Sequence, residues 1–266
     1  MRGIYTAGVL DCLQDHAVSF PYVAGISAGA CHACSYVSGQ RGRNLKIADY
    51  IPDKRYMGMG NFLRTGNFFG MDFIFEDIPN RLIPFDYQAF FDSPIRFYVG
   101  AINVETGKTE YFDKTRFHDR FLPVRASMSI PGVTNIVEIG GKKYLDGGVS
   151  SPIPLEKSIQ DQNDKHVIVL TQPRGFCKPP QKLGIYLKIK YHKYPELLGA
   201  MRRRHEVYNQ TVKLAERLES EQKAVLIRPS KDYHIGRLEK NLDRIRLQYS
   251  LGYDDTLEKL DQIKSL

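Results

Sequence analysis

The feature that most limits what this 266-residue chain can fold into is the pentad Gly25-Ile26-Ser27-Ala28-Gly29. It sits between a short apolar stretch, Tyr22-Val23-Ala24, and a run of small residues from Ala28 to Val37. The first reads as a strand ending at Gly25, the second as a helix pressed closely against a sheet. A sharp strand-to-helix turn strains its middle residue, and flanking glycines remove side chains that would clash. Ser27 is therefore a candidate nucleophile, exposed where backbone N–H groups and the helix dipole favour negative charge. Ala28 N–H, one residue on, is a candidate oxyanion donor.

The rest of the chain supplies an α/β frame for such a turn. Gly3 to His16 reads as a helix, with Ile4, Val9, Leu10 and Leu13 on one face. Phe97–Val104 and Thr109–Phe112 read as strands about the turn Glu105-Thr106-Gly107-Lys108, and Ile136–Ile139 and Lys142–Leu145 as a hairpin turned at Gly140-Gly141. Val124 to Ser129 reads as a helix, and His166–Leu170 and Ala224–Ile227 as further strands. Helices alternating with strands predict a mostly parallel central sheet with helices on both faces. The segment 55–91 is rich in Phe and Met without clean periodicity, and reads equally as an acyl-binding wall or as core. One domain spanning 1–266 is expected, with a core over 1–172 and a mostly helical part over 173–266.

Composition narrows the class. Hydrophobic residues at 42% and charged residues at 26% exclude disordered, fibrous and integral-membrane chains. The uncharged stretch from Ala17 to Gln40 is broken by Pro21 and several glycines, and so reads as buried soluble structure rather than a membrane span. The opening residues, with Asp11 and Asp15, do not read as a signal peptide. Four cysteines are too few for a secreted disulfide scaffold, which points to a reducing cytoplasm. The net charge of +8 suits an anionic membrane surface or simple solubility, and no nucleic-acid-binding module accompanies it. Arg202-Arg203-Arg204 reads as a solvated helix face or a headgroup contact. Cys31-His32-Ala33-Cys34 has metal spacing but no second pair of ligands, so no metal is expected, and no cofactor.

A serine nucleophile needs a base. Asp146-Gly147-Gly148 follows a strand, so Asp146 stands at a strand end with glycines that allow another backbone to approach. A G-x-S-x-G with a later Asp-Gly-Gly resembles the patatin-like phospholipase family. Arg2-Gly3 ahead of Ala7-Gly8-Val9-Leu10, Ala126-Ser127 with Ile130-Pro131, and Val149 with Pro152-Ile153-Pro154 extend the likeness.

The resemblance implies a three-layer α/β/α fold and a serine acyl-hydrolase acting on lipid or other acyl esters. It implies a Ser27–Asp146 dyad, with Asp146 as proton acceptor, and no histidine. Gly25, Gly29, Gly147 and Gly148 would shape the backbone, and Arg2 and Gly3 would be the end of a glycine-rich oxyanion loop. The family's pattern begins with a strand and three glycines ahead of that Arg-Gly. This sequence starts at Met1-Arg2-Gly3, so weakened catalysis is the expectation. Two other readings stay open: a Ser-His-Asp hydrolase with His234 as base, and a non-catalytic lipid-binding protein. Oligomeric state is not legible.

Overall fold

The computed structural model describes residues 1–117 and 121–266. In chain order its first elements are α1 (Ile4–Asp15), β1 (Tyr22–Ile26), α2 (Ala28–Val37), α3 (Arg43–Ala48) and α4 (Met59–Thr65). A wide π-type helix over Phe73–Leu82 is followed by α5 (Tyr87–Asp92), β2 (Arg96–Asn103), β3 (Thr109–Asp113) and α6 (Leu122–Ser127). Then come β4 (Val137–Ile139), β5 (Lys142–Asp146), α7 (Leu155–Gln160), β6 (His166–Val169), α8 (Ile185–Lys190), α9 (Pro195–Ser220), β7 (Ala224–Ile227), α10 (Leu242–Leu257) and α11 (Leu260–Lys264). The class is α/β.

The described strands form two sheets, a mixed one of β1–β5 and a parallel pair of β6 and β7, which corrects the expectation of one mostly parallel central sheet. β1 runs parallel to β2, and β6 parallel to β7, but β2–β3, β2–β5 and β4–β5 are antiparallel. Two of these antiparallel pairs, β2–β3 and β4–β5, follow from tight turns. Gly107 at φ +66° and the Gly140-Gly141 pair at +56° and +75° return the chain directly beside itself, which only antiparallel neighbours allow.

β2 organises the centre. β3 covers one of its edges through Tyr98–Ile102. The opposite edge is shared end to end by β1, which pairs through Arg96–Gly100, and β5, which pairs through Ala101–Asn103. Since β1 is parallel to β2 and β5 antiparallel, their C-terminal ends run towards each other and meet at Gly100-Ala101. Ile26 pairs with Gly100 and Asp146 with Ala101.

The main core gathers Tyr5, Val9 and Leu13 of α1, Ala30 and Ala33 of α2, and Phe97, Val99 and Ala101 of β2. α10 lies against α1 at a close crossing: a Cβ on Gly8 would stand 2.0 Å from the Tyr249 carbonyl oxygen, and one on Gly252 2.1 Å from that of Tyr5. Two buried hydrogen bonds, Tyr5 Oη to Asp255 Oδ2 at 2.8 Å and Tyr249 Oη to Asp11 Oδ2 at 2.7 Å, tie the pair. Among the described residues no helix is long and apolar enough to cross a membrane.

Candidate active site

β1 delivers Ser27 at its end, and the turn into α2 holds it at φ 53°, ψ −127°. A non-glycine residue in this region costs on the order of 1–3 kcal/mol, so surrounding contacts must enforce it. The two flanking glycines differ in what they do. A Cβ on Gly25 would lie 2.6 Å from Ala30 Cα, so that glycine lets the strand pass close over the helix. A Cβ on Gly29 would meet nothing within 4 Å. The expected clash at Gly29 is absent because its open side is the cleft.

Asp146 arrives from the opposite direction at the end of β5. Ser27 Oγ donates to Asp146 Oδ2 at 2.8 Å. The other carboxylate oxygen, Oδ1, accepts from Gly148 N–H at 2.7 Å, and Asp146 N–H donates to the Ser129 carbonyl at 2.8 Å. Gly147 is required sterically, since a Cβ there would stand 2.3 Å from the Gly100 carbonyl oxygen. Burial pushes the Asp146 carboxyl above the ordinary carboxylate range, opposed by its bonds to Ser27 and Gly148 and by the charges of Arg204 and Arg237.

Ser127, buried at the end of α6, is a part of the site that sequence reasoning notes only within the Ala126-Ser127 resemblance. Its Oγ accepts from Ser27 N–H at 2.8 Å and donates to the Gly100 carbonyl at 2.7 Å. This bridge ties the elbow to the point on β2 where β1 and β5 meet. It also occupies the Ser27 N–H, leaving Ala28 N–H as the adjacent backbone donor.

Arg2 and Gly3 are brought to the same place. A Cβ on Gly3 would stand 2.7 Å from Ala28 Cβ, and Arg2 lines the cleft with Ser27 and Asp146. That cleft is a cavity of about 1290 Å³. The segment 55–91 is divided between core and cavity wall: Met57 and Phe90 are fully buried, while Met71, Ile74, Phe75 and Tyr87 line the cavity.

Other candidates stay apart. His234 lies in an exposed loop, its side chain 85% accessible and its Nδ1 3.2 Å from Asp232 Oδ2, and it is not part of the cavity wall. Cys31 and Cys34 are free thiols on α2, and among the described residues no cluster of three potential ligands could hold a metal. His32, half-buried on the same helix, is pushed down to about 4 by desolvation, with Nδ1 unpartnered.

A patatin-like phospholipase family model matches residues 1–158, more than half of the chain, and contains both Ser27 and Asp146. The chain belongs to the patatin-like phospholipase family. A second model, for a domain of unknown function (DUF6363), matches residues 194–266, which begin just before α9 and run to the end of α11. The chain is also similar to an uncharacterized protein, YjjU, of Escherichia coli K12: 29% identical over 258 residues, covering 94% of this chain and 72% of the relative. This patatin-like chain thus carries, after its family region, a second matched segment built from α9, β7, α10 and α11.

Proposed function

We propose that this chain is a serine acyl-hydrolase of lipid esters, using a Ser27–Asp146 dyad within a single three-layer unit of which 173–266 is an integral part. The observation that carries the reading is the 2.8 Å hydrogen bond from Ser27 Oγ to Asp146 Oδ2, on a strained elbow at the wall of a largely apolar cavity. Ser27 Oγ attacks the ester carbonyl carbon while its proton passes to Asp146. The tetrahedral intermediate then expels the alcohol, which takes that proton. Water attacks the acyl-serine, Asp146 accepts its proton and returns it to Ser27 as the carboxylic acid departs. Asp146 needs no third residue to hold a tautomer, and its burial makes it a stronger base than a free aspartate.

Access from a lipid surface is supported by the outer wall. α8 exposes Ile185 and Ile189, 77% and 65% accessible, while its Leu187 lines the cavity. No acidic residue lies between Asp164 and Glu196, a stretch that includes Lys182, Lys188, Lys190 and Lys193. Tyr186 Oη donates to the Gly132 carbonyl at 3.2 Å, and Asn135 Nδ2 to the Thr65 carbonyl at 2.8 Å. These bonds join α8, through loop 130–135, to α4, which exposes Met59 and Leu63. An apolar rim with lysines beside it suits peripheral contact with an anionic membrane.

A fluorophosphonate probe, followed by peptide mass spectrometry, tests the reading: Ser27 is modified, and Ser27→Ala takes up no probe and hydrolyses no ester. A second reading, lipid binding without turnover, is favoured by the commitment of Ser27 N–H to Ser127, which leaves few donors for an oxyanion. Binding of a short-chain ester with no labelling of Ser27 selects it.

A further inference from the structure

The wall beside Ser27 and Asp146 is cationic, and three of its four cations come from the region after residue 173. Arg2 precedes α1, Lys178 follows β6, Arg204 projects from α9 and Arg237 stands in the loop between β7 and α10, and all four line the cavity. None of them makes an ion pair within 4 Å among the described residues.

They are held by bonds that leave their charges unspent. Arg204 Nε donates to the Gly148 carbonyl at 2.6 Å, two residues from the catalytic aspartate. The Lys178 backbone is clamped to α9, its N–H donating to Asn209 Oδ1 at 2.8 Å and its carbonyl accepting from Asn209 Nδ2 at 3.0 Å. Its Nζ stands 5.2 Å from the centre of the Tyr208 ring, one turn on from Arg204. The carboxylates that act on this group are Asp146, already engaged by Ser27 and Gly148, and Asp232, which accepts from His234 N–H at 2.7 Å. Of these two carboxylates only Asp146 lines the partly apolar cavity that the four cations line. Burial pushes the Lys178 ammonium down to about 8, and Arg204, Arg237 and Arg2 push it the same way. Gathering like charges at a partly buried wall is costly unless an anion enters among them.

We infer that Arg2, Lys178, Arg204 and Arg237 form a phosphate subsite that recognises the headgroup of the ester cleaved at Ser27, and that supplying it is the role of the C-terminal helical segment. The inference rests on the reading of Ser27 as nucleophile. Guanidinium forks match phosphate oxygens in pairs, and the excess of positive charge suits a phosphoryl group better than a neutral glyceride. Arg204 links the subsite to the chemistry, because it grips the turn that carries Asp146.

Isothermal titration of the full chain carrying Ser27→Ala, with inorganic phosphate and with dihexanoyl phosphatidylglycerol in parallel, tests it. Both ligands bind, the phospholipid more tightly, and adding Lys178→Gln with Arg237→Gln weakens each by about tenfold or more. Lys178→Arg with Arg237→Lys, which keeps the charges, retains binding, and Arg237→Gln alone, a change in an exposed loop, gives a partial loss in a chain whose unfolding temperature is checked. Absence of phosphate binding, equal affinity in the charge-neutral variant, or binding of free phosphate without the phospholipid overturns the subsite. Fluorophosphonate labelling of the Ser27 chain separates the two readings: labelling without phosphate binding removes the subsite alone, whereas phosphate binding without labelling removes the nucleophile and leaves an anion site without turnover.

Discussion

The Ser127 hydroxyl accepts the backbone N–H of Ser27 and donates to the carbonyl of Gly100, so the strained elbow is anchored to the β2 residue that pairs with Ile26. On the next residue of β2, Ala101, Asp146 is paired. Ser27 and Asp146, the proposed nucleophile and base, are thus indexed to adjacent positions of one strand, β1 and β5 meeting head to head along its edge. A 2.8 Å contact between residues 119 apart in sequence follows from this register and not from any loop.

Asp146→Asn is expected to lower kcat for ester hydrolysis by 10²–10⁴-fold, about 3–5 kcal/mol of barrier, with little change in KM. Asn keeps the shape of the aspartate and cannot take the proton. His234→Ala is expected to leave the rate near that of the parent chain. A greater loss from His234→Ala than from Asp146→Asn would move the base to the histidine, despite its exposure.

The raised Asp146 pKa sets two pH dependences of opposite sign. Catalysis needs the carboxylate, so kcat/KM rises with pH through an apparent pKa above the free value of about 3.9. Stability runs the other way: the folded state holds this proton more tightly than the unfolded one, so the contribution is fully present below the unfolded pKa and is lost as pH rises through the folded pKa. Asp146→Asn removes that loss. Thermal unfolding at pH 7 should show the variant more stable than the parent, each kcal/mol appearing as about 2–4 °C, with the difference shrinking towards pH 3. A variant less stable at both pH values would show the carboxylate to be a net structural asset.

Much of this arrangement is legible in the residue types alone. The small residues after Ser27 mark α2 as Ala28–Val37, and the apolar run Ala224–Ile227 marks β7, because close packing and full burial leave direct traces in residue type. The meeting of Ser27 and Asp146 is legible only through the resemblance, since pairing register is non-local and no composition encodes it. Ser127 is hidden for a similar reason, as a serine at a helix end has many uses. In 55–91 the wide helix with Pro79 inside breaks the 3.6-residue period that would announce it. Arg204 is masked by its neighbours: Arg202 and Arg203 face solvent as expected, and only the helical phase turns the third arginine into the cleft.

The two glycines of the elbow should respond differently to one methyl group. Gly25→Ala drives a Cβ against the α2 backbone at Ala30, which cannot yield without moving the helix, so a loss of about 1–3 kcal/mol in stability and loss of Ser27 labelling are expected. Gly29→Ala meets open space and adds helix propensity of up to about 1 kcal/mol, so the chain stays folded. Its methyl enters the cleft, and the effect should appear as a raised KM for bulky acyl esters. Equal destabilisation by both changes, measured by denaturant unfolding, would contradict the asymmetry of the turn.

Ser127→Ala deletes the bridge between Ser27 and Gly100 and leaves both buried backbone groups short of a partner, at a cost of about 1–3 kcal/mol. Activity offers a sharper readout, because the freed Ser27 N–H could either turn to the oxyanion or let the elbow relax. The positive φ of Ser27 stores strain that its anchors must oppose, so relaxation is the expected outcome, with labelling slowed about tenfold or more. Faster labelling would mean that Ser127 restrains a donor and not the backbone.

The last expectation concerns the oxyanion. Among the described residues β1 pairs only with β2 and β6 only with β7, and both strands border the cavity. Val23 and Ala24 of β1 and Val167 and Val169 of β6 all line it, so two strands that each pair on one side only border the same space. The family's pattern of a strand followed by three glycines and then Arg-Gly would end there, because Gly3 already packs on Ala28 beside Ser27. A chain given an apolar strand and three glycines ahead of Met1 should therefore seat the strand between β1 and β6 and bring glycine N–H groups to the oxyanion. One such donor is worth about 2.7–4 kcal/mol, or 10²–10³ in rate. Fluorophosphonate labelling of Ser27 should accelerate by at least that lower factor, with backbone amides of β1 and β6 gaining protection from hydrogen exchange. Protection without acceleration would assign the space to folding alone, and equal rates with no protection would show that neither edge accepts a strand.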